Sequence, residues 1–258
     1  MCFDTTSSNT GWKQGACVNV EKALGRPLLW LPCRGHIPEL IVGSVWVTLF
    51  GKDMGPEYEP FKELKKVWPE LDQSKYSILE SKPWMKNILN ERKDKVIEFC
   101  KYTLSIEKQP RDDYRECLDL TLFVLGSPQD NFSFKKPGAL HKARWMAPVI
   151  YGLKMFIFRK ALKKSVEYQS KLEKFALFVC LYYVEYWFTA PFASEAPRMD
   201  LQLYKDMLGM DSLKLSIITI FGHKHFKHIF NHKELCFSVE TLKMFFDNVS
   251  YVDLKSCF

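Results

Sequence analysis

The eight cysteines of this 258-residue chain include no Cys-x-x-Cys pair and no tight framework spacing. That argues against a disulfide scaffold and reads as reduced, intracellular thiols. Long hydrophobic runs are also lacking. A bilayer crossing needs roughly 20 apolar residues, whereas the run Ala176 to Val184 is shorter and has Glu173, Lys174 and Glu185 close by. A buried core helix is the reading there, with membrane association as the weaker alternative. The first residues are acidic and hydroxylic where a signal peptide would be basic and then apolar. No internal repeat or low-complexity tract appears. Charge is sparse as well: 26% of residues are charged against 47% hydrophobic, which excludes a disordered chain and allows one large or two small cores. The net charge of +7 favours polyanionic partners, but over 258 residues it permits DNA binding without demanding it.

Apolar spacing orders what is present. Residues 1 to 4 read as the stump of a strand ending at Asp4, Trp12 to Leu24 as a helix stopped by Gly25-Arg26-Pro27, and Leu28 to Leu31 as a strand. Ile37 to Phe50 is a helix so apolar that it must be buried, with Pro38 in its first turn. From Gly51 to about Gln109, Pro56, Pro60, Pro69 and Pro83 predict short helical pieces packed by Phe61, Leu64, Val67, Trp68, Leu71 and Trp84. Arg111 to Leu125 is amphipathic and closed by Gly126, Ser127 and Pro128, with a polar loop beyond. Ala139 to Lys164 gives the clearest long helical pattern, with a kink at Pro148 or a break at Ala147, and a further helix spans about Lys171 to Thr189. Leu201 to Met210 reads as a short helix.

Three stretches carry a resemblance. Phe3-Asp4-Thr5-Thr6-Ser7-Ser8-Asn9-Thr10-Gly11 brings an acid out of an apolar residue. Cys33-Arg34-Gly35-His36 follows one short strand later, and Arg144-Trp145 lies downstream. In this order they resemble the catalytic core of cut-and-paste DNA transposases of the hAT and Mutator-like kind. The resemblance implies an RNase H-like fold in which Asp4 matches the second acidic metal ligand, at a strand end. It implies Mg2+ or Mn2+ in the ancestral enzyme, where one ion activates the attacking water and the other steadies the leaving oxygen. No metal is expected to be bound by this chain. Cys33 and His36 would shape the neighbourhood of the acids; the alternative is a buried thiol and a helix-capping imidazole. Trp145 would stack on an unpaired base while Arg144, with Lys142 nearby, holds phosphate; the alternative is core packing. For the third acid Glu185, Glu195 and Glu234 all stand in the later half, and Glu234 is the first choice.

Two further features stand on residue type alone. His225, His228 and His232, with Cys236, share one face if the stretch is helical, which suits a metal or, as the plainer reading, a basic surface patch. Arg159-Lys160 with Lys163-Lys164 complements a helix end and is suited to DNA backbone.

The expected architecture is mainly α with a small residual β component. A remnant RNase H-like core occupies residues 1–50, a helical insertion 51–136, and a helical region 137–258. With nothing ahead of Asp4 to supply the first acid, the expectation is a truncated transposase-derived protein, nuclear, inactive in cleavage by itself and retaining DNA affinity. The alternative is a helical scaffold whose helices over 139–164 and 171–189 bind a protein partner or self-associate. No membrane partner is expected.

Overall fold

The computed structural model describes residues 1–3, 6–11, 13–28, 31–32, 36–51, 55, 57–106, 109, 111–138, 146–189, 199, 202–203 and 206. These residues are mainly helical, with a minimal β component, and fall into two compact units: Met1–Ser44 with Pro197–Phe258, and Val45–Ala196. The second unit joins residues that the sequence pattern apportions between an insertion and a later helical region.

In the first unit, β1 (Cys2–Phe3) is followed by α1 (Ser7–Thr10), α2 (Ala16–Leu24) and β2 (Leu31–Pro32). β1 and β2 pair in parallel, Cys2 opposite Leu31 and Phe3 opposite Pro32. A parallel pair needs a crossover, and the two helices supply it. α2 ends where the sequence implies: Gly25 takes a φ of 64°, and its N–H and that of Arg26 close on Lys22 O and Glu21 O. Its start differs, at Ala16 rather than Trp12, because residues 13 and 14 form a turn. α3 (His36–Phe50) matches the expected apolar helix, and the division between units falls within it, at Ser44 and Val45.

The second unit is a helical assembly. α4 (Glu59–Val67) runs into a 3-10 turn at Trp68–Glu70, and a second such turn at Pro83–Met85 leads into α5 (Lys86–Ile106). α6 (Asp112–Val124) and α7 (Ala147–Ile157) follow. α8 (Val166–Phe178) then continues through a π-helical turn, Val179–Tyr183, into α9 (Val184–Thr189). The C-terminal half of α3 enters this core through Trp46, whose ring meets Phe61 at 5.4 Å and Phe175 at 4.7 Å. α6 packs on α5 and α7, and α7 on α8.

Helix ends left with orphan carbonyls need partners when covered. The segment 76–82, beyond the turn at 73–75, supplies two: Ser77 N–H donates to Ile157 O at the end of α7 (2.8 Å), and Leu79 N–H to Val124 O at the end of α6 (2.9 Å). Segment 127–138, expected to be a polar loop, is held by aromatics. Phe132 and Phe134 stand 4.9 and 4.8 Å from Phe123, and Phe134 also meets Phe158 at 4.9 Å.

Three expectations need correction. Residues 86–106 are not short pieces but one helix of 21 residues, because Pro83 stands in the first turn of the preceding 3-10 segment and nothing after it interrupts the ladder. The described part of the 139–164 pattern is helical only over Ala147–Ile157; of the two alternatives at Pro148, a kink or a break at Ala147, the helix opens at Ala147 with Pro148 in its first turn. Beyond Ile157 the chain turns through residues 158–163. The helix expected to begin near Lys171 starts earlier, at Val166, because Ser165 accepts a hydrogen bond from Tyr168 N–H and caps it there. The helix expected over Leu201 to Met210 lies mostly outside the described residues.

Candidate nucleic-acid interface

The parallel pair organises the stretch that carries the acid and the Cys-x-x-His. Because Phe3 lies opposite Pro32, the carboxyl ends of β1 and β2 are neighbours, and the sequence runs on from them into Asp4 and Cys33. His36 is the first residue of α3. Asp4, Cys33 and the side chain of His36 lie outside the described residues, as do Lys142, Arg144, Trp145, Glu195, Glu234 and the whole of His223–His232 with Cys236. Among the described residues, no group of three or more His, Cys, Asp or Glu side chains is placed to hold a metal ion.

Glu185, the described alternative for the third acid, sits in the first turn of α9, its carboxylate 3.8 Å from the Arg92 guanidinium. Arg159 and Lys160 part company. Lys160 is exposed, whereas Arg159 is only 8% exposed: its Nη1 donates to Phe156 O at 2.9 Å and its guanidinium lies 4.1 Å from the centre of the Phe156 ring. Burial pulls the Arg159 pKa down, against the opposing pull of Glu173 and Glu80. In this position Arg159 faces the interior, and the cations presented to solvent around the turn after α7 are Lys160 and Lys163. Lys164 is taken up by the Glu63 carboxylate of α4.

One charged residue had no signal in the sequence at all. Lys154 stands in the apolar stretch of α7 and is fully buried. Its ammonium reaches Glu116 Oε1 at 2.6 Å and Lys135 O at 2.6 Å, and lies 5.1 Å from the Trp68 ring centre. Burial pushes its pKa down while Glu116 pulls it back up. Read alone, a Lys between Leu153 and Met155 looks like the polar edge of a helix. Only the partner on α6 reveals its place.

Among the described residues of the helices expected to offer an aromatic docking face, most rings turn inward. Tyr151, Phe156, Phe175, Phe178, Tyr183 and Tyr186 are buried, Tyr168 and Phe188 are half-buried, and the large hydrophobic exposed on the described part of these helices is Val166. Among the described residues no helix is long and apolar enough to cross a membrane, and the Ala176–Val184 run is core. No family model, curated protein or solved structure matches the chain.

Proposed function

We propose that the chain is a DNA-binding protein of hAT or Mutator-like transposase ancestry, its first unit descending from an RNase H-like core. One observation carries the reading: a parallel β–α–β unit whose strands end immediately before Asp4 and before Cys33, with a helix opening at His36. That is the local order the resemblance requires, an acid at one strand end and a Cys-x-x-His one strand later. In this reading Arg144, Lys142 and Lys160 hold phosphate and Trp145 stacks on an unpaired base. Asp4, with Glu234 as the later acid, is the residue toward which Mg2+ or Mn2+ would be directed, and such ions activate water for phosphodiester cleavage. No cleavage step is assigned to this chain. A nuclear location follows from the same ancestry.

The test is equilibrium binding of hairpin-ended or flapped duplex DNA across a salt series. The logarithm of affinity is expected to fall linearly with the logarithm of salt concentration, by about 0.9 per phosphate contact. Trp145→Ala is expected to weaken binding to the flapped substrate more than to plain duplex. Affinity that does not respond to salt would remove the DNA reading. It would leave the scaffold alternative, which must use surfaces other than the buried aromatic faces of α7 to α9.

A further inference from the structure

Between α8 and α9 the helix does not break; it widens for one turn. Val184 N–H, which would bond to Cys180 O in an α-helix, reaches back to Val179 O. A π-turn of this kind is equivalent to one inserted residue, and it persists only where the surroundings compensate for the looser packing about the axis. Here the whole turn is buried, from Val179 through Tyr183.

One side chain on α5 spans the turn. Arg92 Nε donates to Leu181 O at 2.9 Å, within the turn. Its guanidinium lies 4.3 Å from the centre of the Tyr182 ring, the next residue. Its Nη2 stands 3.8 Å from Glu185 Oε2, in the first turn of α9. A single planar group thus touches the wide turn's backbone, its ring and the helix that follows. Arginine is suited to this because its fork of donors is rigid and its flat face stacks.

The consequence reaches along α9. Absorbing the extra residue into an α-helix would rotate everything beyond it by about 100°. In the present register Trp187 lies 5.8 Å from Tyr114 of α6 and 6.1 Å from Tyr183, and Phe188 lies 6.2 Å from Tyr114. A rotation of that size would take these rings off α6.

We propose that Arg92 is the latch of a two-register helix: it holds the π-turn at Val179–Tyr183, and α9 rotates into a second register when the latch is withdrawn. This inference is independent of any DNA contact.

The experiment is hydrogen exchange at residue resolution on the full chain, comparing the parent with Arg92→Met and Arg92→Lys. Amides of residues 184–189 are expected to exchange about tenfold faster in Arg92→Met, the loss appropriate to one charge-assisted hydrogen bond. Amides of α7, which packs on α8 rather than on the α9 rings, should be unchanged. Arg92→Lys keeps the charge but not the fork, and is expected to behave like Arg92→Met. A second variant deletes Tyr182, removing the inserted residue so that an unbroken α-helix keeps α9 on its present face. In that background Arg92→Met is expected to leave exchange in 184–189 unaltered. Unchanged exchange in both point variants of the full-length turn would overturn the proposal. So would an equal acceleration with and without Tyr182, because Arg92 would then be ordinary packing rather than a latch on the π register.

Discussion

Lys154 shows what a single side chain commits the fold to. With no exposed surface, its ammonium is held by Glu116, a main-chain oxygen of the 127–138 segment and the face of Trp68. Removing one partner of such a pair strands the other's charge in the core. Lys154→Met is therefore expected to destabilise the protein by about 3–5 kcal/mol, read as a lower urea midpoint. Replacing Glu116 by Leu in the same chain should recover most of that loss; no recovery would mean that the ammonium matters through Lys135 O and Trp68 instead. Asp119, further along α6, makes the converse case. Burial raises its pKa, with Arg115 and Lys135 only partly opposing. A carboxyl whose folded pKa lies above its unfolded one stabilises the fold when protonated, and loses that contribution as pH rises through the folded value. Asp119→Asn is accordingly expected to melt higher than the parent at neutral pH. The gap should close as the pH falls below the ordinary value near 3.8. A gap of constant size across that range would show that ionisation is not its origin.

At the scale of elements, the decisive variable is where prolines and glycines fall within a turn rather than how many there are. Pro60, Pro69, Pro83 and Pro148 all occupy the first turn of a helix or 3-10 segment, where the missing N–H costs nothing. Read from spacing alone they divide the chain. In the fold they start its helices, which is why α5 was legible only as fragments and α7 only as the middle of a longer pattern. Gly152 works by size. It lets α7 approach α8 so closely that a Cβ there would stand 2.9 Å from Phe175 Cδ1, closer still to Cε1, and 3.2 Å from Trp46. Gly152→Ala is expected to cost about 1–3 kcal/mol through overpacking. The cost should shrink if Phe175 is shortened to Leu in the same chain, and thermal melts of the two single variants and the double variant measure this. Additive effects would place the strain elsewhere.

For the whole molecule, the second unit has a core of its own, running from the later half of α3 to α9, and the ion pairs of its buried Lys154 and Glu173 close within it. A fragment covering residues 36–189, which keeps α3 whole, is expected to unfold cooperatively with a helical circular-dichroism signal. A broad, non-cooperative melt would show that this core depends on the rest of the chain. What the sequence determined by itself is local. Apolar runs and turn residues marked α3, α6, the Gly25 and Gly126 helix ends and the β–α–β order, because each depends on neighbours within a turn or two. They did not mark the second strand's place, which is Leu31–Pro32 rather than Leu28 to Leu31. What only the tertiary structure decided is which charges are withdrawn from water and which helix changes its winding. Arg159 and Lys160 are adjacent and alike in sequence, yet one faces the core and the other solvent. Lys154 owes its place to Glu116, 38 residues away (154 − 116). The π-turn owes its clamp to Arg92, 89 positions earlier. Such partners are brought together by packing, and no local pattern of spacing records them.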